Sequence, residues 1–201
     1  MRFRSLALAA LLPGLAVSAD WDRAKIQGST SAPVAIEVFG SFDCVHCKIL
    51  HEGMLQQIVQ DLVVTGKACV ISREFPLAGP YHKYARDAAN LATAAARIGK
   101  YQPVADALFK NQQEWETSGK VWETVAGVLA PAEQVKVKAL ASDPGVLAEV
   151  QKDYDQGAAM GINQTPTVMV IRQRDGKRYP FPGIQITYEM FRDFITKDLA
   201  K

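Results

Sequence analysis

The period of apolar positions changes several times along this chain. Val34 to Phe39 is a short apolar run and predicts a buried strand. After Gly40-Ser41 the period lengthens: Ile49, Leu50, Met54, Leu55, Ile58 and Leu62 recur at three- and four-residue steps. That spacing predicts a helix from about Cys44 to Val64, stopped at Thr65-Gly66 with Gly66 as a left-handed cap. Ala68-Cys69-Val70-Ile71, inside Lys67–Phe75, predicts a second strand that ends at Pro76. Helical patterns then run to about Gly161. Ala85, Ala88, Ala89, Ala92, Ala95 and Ala96 form a small-residue face suited to close helix packing, and Gly99 stops that helix. Val104, Ala105, Leu108 and Phe109 mark the next. Trp122, Val125, Ala126 and Leu129 follow at helical spacing before Pro131, and Val146, Leu147, Val150, Tyr154 and Ala158 mark a last helix of the block.

Strand character returns at Thr167–Ile171, and Asp175-Gly176 is a hairpin turn signal. The strand after it carries Pro180 and Pro182 and belongs at a sheet edge. Thr187 can cap a final helix that buries Phe191, Phe194, Ile195 and Leu199. The order is strand, helix, strand, helical block, hairpin, helix. It is similar to a thioredoxin core with one helix replaced by the block. The expected class is therefore α/β, thioredoxin-like, with an all-helical insertion at residues 79–161 between the second strand and the loop before Thr167. The core is then 34–78 and 162–201, with 20–33 as an extended lead-in.

Composition adds compartment and excludes some partners. Arg2 and Arg4 precede an apolar run, Leu6 to Val17, that is too short to span a bilayer. Val17-Ser18-Ala19 then offers small residues, as in a signal peptide (residues 1–19) cut after Ala19. The expected location is the periplasm or outside the cell. The cut removes two of 23 basic residues and none of the 21 acidic ones, which leaves a formally neutral chain. No basic stripe suggests nucleic acid. An apolar share of 48 % supports a real core. An oxidising compartment favours paired cysteines, and the three present exclude a multi-bridge scaffold.

The candidate chemistry is Cys44-Val45-His46-Cys47. A cysteine at a helix start meets unpaired N–H groups and the positive end of the helix dipole. Both favour the thiolate, which is the reactive form. Two cysteines three apart can close a small, reducible disulfide. A structural zinc site would want two more ligands; His51 could be a third, and no fourth is visible nearby. A purely structural disulfide closing so short a loop would constrain little of the unfolded chain. The second signal is Gly161-Ile-Asn-Gln-Thr-Pro-Thr167. A cis Thr165-Pro166 bond would hold the Thr165 backbone open for a substrate strand, whereas a trans proline at a strand start is the commoner state.

Phe-x-Cys-x-His-Cys and Gly-x-x-x-Thr-Pro-Thr, with Phe75-Pro76-Leu77 between them, resemble the DsbA family of thiol–disulfide oxidoreductases over nearly the whole chain beyond residue 19. The resemblance implies that Cys44 is the exposed nucleophile, Cys47 the buried partner, and Pro166 the cis-proline facing them. It implies dithiol exchange with reduced or unfolded exported proteins, a membrane quinone-coupled protein that reoxidises the pair, no cofactor, and a monomer. A reductase or an isomerase of the same fold is the alternative, and a metal chaperone using Cys44, Cys47 and His51 is the rival from another class. The isomerase would need an N-terminal dimerisation domain, for which residues 20–33 leave little room.

The chain departs from the family pattern in places. The dipeptide is Val45-His46 rather than Pro-His, with His46 expected to stabilise the Cys44 thiolate. Many relatives place a buried acid six residues before the first cysteine, where this chain has Val38; Glu37, one step off, should face the other side of the strand. Asp43 opposes the thiolate, with solvent expected to screen it. Cys69 is expected to be a buried inert thiol, His82 a surface histidine, and Trp115 and Trp122 packing residues.

Overall fold

The computed structural model describes residues 22–183 and 187–199. The expected signal peptide and its cleavage site lie outside the described residues. Five strands form one sheet: β1 (Ile26–Gln27), β2 (Val34–Gly40), β3 (Ala68–Glu74), β4 (Thr167–Arg172) and β5 (Lys177–Pro182). Their order across the sheet is β1-β3-β2-β4-β5. The apolar run of β2 sits at the centre, parallel to β3 and antiparallel to β4. β5, with its two prolines, lies at one edge. The lead-in is more structured than expected. Its residues Arg23–Lys25 form a 3-10 turn, and Ile26–Gln27 pairs antiparallel with β3 as the other edge. A two-residue strand carries no periodicity to read.

The predicted first helix is three pieces: α1 (Val45–Glu52), α2 (Met54–Ile58) and a π-helical turn at Val59–Val63. Gly53 makes the break with φ −111° and ψ −98°. The apolar repeat runs on through it, so spacing alone could not locate it. Between β3 and β4 lie α3 (Ala85–Ala96), α4 (Tyr101–Lys110), α5 (Gln112–Ser118), α6 (Val121–Ala126), α7 (Pro131–Leu140) and α8 (Pro144–Ala159). The alanine face of α3 is buried throughout. α9 (Tyr188–Asp193) starts at Thr187, whose side chain accepts from the Met190 N–H.

Alternation along the strands divides the core. Ile36, Val70, Val168 and Val170 pack with Leu50, Leu55, Phe191 and Ile195 on one face. Ala35, Phe39, Ile71 and Met169 pack with Phe75 on the other, beside Tyr154 of α8. Gly157 lets α8 lie close, since a Cβ there would come within 2.7 Å of the Phe75 ring. A third cluster belongs to the helices α3–α8 and reaches Phe42, Cys44 and Cys47.

Glu37 does face away from the cysteines, and it is the start of a buried ionic network. Arg73 donates to Glu37 and to Asp153 of α8, each at 2.7 Å, and Lys25 Nζ is 2.6 Å from Asp153. Four charges inside a protein persist only when each is paired and hydrogen-bonded. Here they tie the lead-in and α8 to the sheet.

Candidate active site

Cys44 is the N-cap residue of α1. Its sulfur accepts from the Cys47 N–H at 3.4 Å. The N-cap position aims an acceptor at the unpaired N–H groups of the first turn, which is what a thiolate needs. Both cysteines are reduced and largely buried, Cys44 8 % exposed and Cys47 4 %. Cys44 is thus less open than the resemblance implies. The two thiols differ chiefly in proton affinity. Cys44 is lowered to about 5, first by the hydrogen bond from the Cys47 thiol, against the opposing effect of burial; Thr165 and the backbone N–H groups of Cys47 and His46 lower it further. Burial pushes Cys47 far above the ordinary thiol range, and its bond to Cys44 and the Cys44 charge push the same way.

The Thr165-Pro166 bond is cis. The loop lies against the cysteine pair, with the Cys44 thiol donating to the Thr165 carbonyl at 3.3 Å. A carbonyl only accepts, so it is the protonated form of Cys44 that makes this contact. Val45 and His46 are both exposed on the first turn of α1. His46 reaches Cys44 through its backbone N–H, which any side chain at that position would keep. Titrating the Cys44 thiolate by its ultraviolet absorbance is expected to give a midpoint near 5, well under the free value of about 8.5. His46→Ala is expected to leave the midpoint within about one unit; a larger rise would show that the ring matters.

Asp43 and His82 correct the sequence reading. The Asp43 carboxylate is buried, its side chain 3 % exposed, so solvent does not screen it. Instead His82 Nδ1 lies 2.6 Å from it and the Ser41 hydroxyl donates to it. His82 is therefore not a free surface histidine. It comes from the segment before α3, 39 residues along the chain, a distance at which spacing says nothing about partners.

Helices α4 and α5 also contact the segment around the cysteines. Gln112 Nε2 donates to the Phe42 carbonyl at 2.6 Å, and His51 Nε2 lies 2.7 Å from Asp106 with its ring against Phe109. Among the described residues, no three His, Cys, Asp or Glu side chains are grouped to hold a metal ion. Cys69 is fully buried and its thiol is raised to about 11, chiefly by burial. Trp115 is fully buried in the helical cluster, donating to the Leu108 carbonyl, and Trp122 packs at its margin.

Sequence reasoning missed a second acid. Glu74 ends β3, buried beside Gly40, and accepts from the Tyr101 hydroxyl at 2.8 Å. A signal was available in the Arg73-Glu74 pair that closes an otherwise apolar strand.

A family model described as thioredoxin matches residues 22–197. The chain is 31 % identical over 153 residues to Na(+)/H(+) antiporter NhaA 1 of Mycolicibacterium vanbaalenii, covering 74 % of this chain and 23 % of that protein. It is 26 % identical over 154 residues to disulfide bond formation protein D of Bacillus subtilis, covering 72 % of this chain and 66 % of that one. The chain thus spans about a quarter of the antiporter relatives' length and about two thirds of the Bacillus protein's. The crystal structure of Wolbachia pipientis alpha-DsbA1 superposes with a TM-score of 0.70 at 21 % identity, covering 88 % of this chain and 90 % of that one. Among the described residues, no helix is long and apolar enough to cross a membrane. The match over residues 22–197 places the chain in the thioredoxin family, with a fold like that of the Wolbachia alpha-DsbA1 structure.

Proposed function

We propose that this chain is an exported thiol–disulfide oxidoreductase that introduces disulfides into other exported proteins. The observation that carries the reading is the split in proton affinity across the pair: Cys44 holds its proton weakly and Cys47 strongly. In the oxidised enzyme a substrate thiolate attacks the Cys44 sulfur. The Cys44–Cys47 bond breaks, its electron pair leaves on Cys47, and a mixed disulfide forms. A second substrate thiolate attacks the substrate sulfur of that bond. Cys44 leaves as a thiolate, the substrate is oxidised by two electrons, and the enzyme dithiol is reduced. A leaving thiol of low pKa departs fastest, so the environment of Cys44 drives the reaction toward substrate disulfides. A membrane quinone-coupled protein would then reoxidise the pair.

The Thr165–Pro166 loop lies against Cys44, and Val45 and Ile49 of α1 are exposed; together they offer backbone and apolar surface to an extended, unfolded substrate. Residues 79–161 are read as an insertion into a core made of 34–78 and 162–201, and that insertion closes one side of the pair.

The test is the link between redox state and stability. A thiol whose folded pKa lies below its unfolded value stabilises the folded state fully above the unfolded value of about 8.5, and that stabilisation is lost as pH falls through the folded value. The folded value here is about 5. The reduced protein is therefore expected to melt above the oxidised one near neutral pH, with the gap closing as pH falls toward 5. An oxidised form that melts higher at neutral pH would indicate a reductase.

A further inference from the structure

The Cys47 thiol must lose a proton each time it attacks a Cys44 mixed disulfide, yet burial holds that proton tightly. Val38, two residues before Gly40 on the same face of β2, lines this region but cannot take the proton, so the proton needs another destination. The register of the sheet supplies one. β2 and β3 run parallel with Gly40 opposite Glu74, so the two residues present the same face. A Cβ on Gly40 would lie 3.6 Å from the Cys47 sulfur. Glu74 therefore stands beside the strand position that Cys47 covers. Between α1, α4 and the ends of β2 and β3 is a cavity of about 40 Å³, lined by both Cys47 and Glu74. A water molecule needs roughly 10–15 Å³ measured in this way, so the space suffices for a short water bridge.

We propose that Glu74 accepts the proton of the Cys47 thiol through water in this cavity when Cys47 attacks a Cys44 mixed disulfide. The proposal rests on the dithiol-exchange reading above. The Cys47 proton passes to the Glu74 carboxylate, and the Cys47 sulfur bonds to Cys44. The bond from Cys44 to the substrate sulfur breaks, and its electron pair leaves on that sulfur. In the opposite direction, a substrate thiolate opens the Cys44–Cys47 disulfide, and the departing Cys47 takes the proton back from Glu74.

The surroundings of Glu74 suit a group that gains and loses a proton near neutrality. Burial raises its carboxyl to about 7, while Lys25 and the Tyr101 hydroxyl pull it down and Asp153 and Asp22 push it up. Asp153 also accepts from the Glu74 N–H at 3.1 Å, which fixes the strand end. Arg73, the next residue, is turned to Glu37 and Asp153 on the other face. From α1, His51 lines the same cavity and is tied to Asp106.

The experiment forms the Cys44 mixed disulfide with oxidised glutathione and follows glutathione release, the step driven by Cys47, across neutral pH. In the parent protein the rate is expected to rise through an inflection near the Glu74 value. Glu74→Gln keeps the size of the side chain and an oxygen for Tyr101; it should abolish that inflection and slow release about a hundredfold. Glu74→Asp should restore part of the rate, and formation of the mixed disulfide should be unchanged in both. A Glu74→Gln protein that releases glutathione as fast as the parent, with the same pH profile, overturns the proposal. Should Glu74→Gln fail to fold, Tyr101→Phe serves. Losing a donor to the carboxylate should move the inflection to higher pH, and an unmoved inflection overturns the proposal. A parent protein that forms no mixed disulfide at Cys44 would overturn the exchange reading itself, and this step with it.

Discussion

Cys47→Ser is expected to accumulate disulfide-linked complexes with a reduced, cysteine-rich substrate, all of them through Cys44. Cys44→Ser is expected to accumulate almost none. The asymmetry follows from the environments of the two sulfurs. Cys44 sits at the α1 N-cap with N–H donors aimed at it and is the thiolate at neutral pH. Cys47 is buried and protonated, so it can attack only a bond already held beside it at Cys44. Serine at 47 removes that intramolecular escape and leaves the mixed disulfide to wait for an external thiol. In Cys44→Ser the remaining thiol is neither ionised nor accessible. Serine cannot replace the Cys47 thiol fully as a donor, so the Cys44 pKa should rise somewhat in Cys47→Ser without returning to the free value. Non-reducing gels with alkylation at fixed times read the outcome. Equal trapping by the two variants would remove the assignment of roles.

Asp153→Ala is expected to destabilise the protein by about 3–5 kcal/mol, the usual cost of leaving buried charges without their partner. Domains of this size are stable by only about 5–15 kcal/mol. The Asp153 carboxylate is fully buried and meets Lys25 at 2.6 Å and Arg73 at 2.7 Å. Removing it takes from Lys25 and Arg73 the carboxylate they share. Asp153→Asn keeps a hydrogen-bond acceptor and should cost less. The urea midpoint should fall while the slope holds, since no new surface is exposed on unfolding. Because Asp153 also anchors the Glu74 N–H, the variant should loosen the end of β3 and slow the Cys47 step more than the Cys44 step. A loss below about 1 kcal/mol, typical of exposed pairs, would show that the network is solvated.

Much of the fold was legible because local signals agreed with tertiary placement. The apolar run at Val34–Phe39 is the central strand, where both faces are covered. Pro180 and Pro182 lack N–H donors, and β5 is an edge. Thr187 caps α9 because its side-chain oxygen can reach an unpaired N–H three residues on. The alanines of α3 recur on one face and are buried there. The break at Gly53 was not legible, since an apolar stripe at helical spacing continues across it.

For the active site, the sequence by itself determined what short range controls. Cys44 and Cys47 are three residues apart across a strand-to-helix junction, so both must stand on the first turn of the helix, one at its N-cap. That alone implies a lowered thiol pKa at Cys44, through the dipole and the free N–H groups. Tertiary structure decided everything that depends on residues far along the chain. It buried Asp43 and answered it with His82 rather than with solvent. It brought the Thr165 carbonyl, 121 residues away, against Cys44. Through strand register it put Glu74 beside Gly40 under Cys47, while Glu37 went to the opposite face to meet Arg73 and Asp153. A strand's period of two fixes which residues share a face, but which neighbouring strand lies alongside, and in what register, is set by packing across the whole sheet.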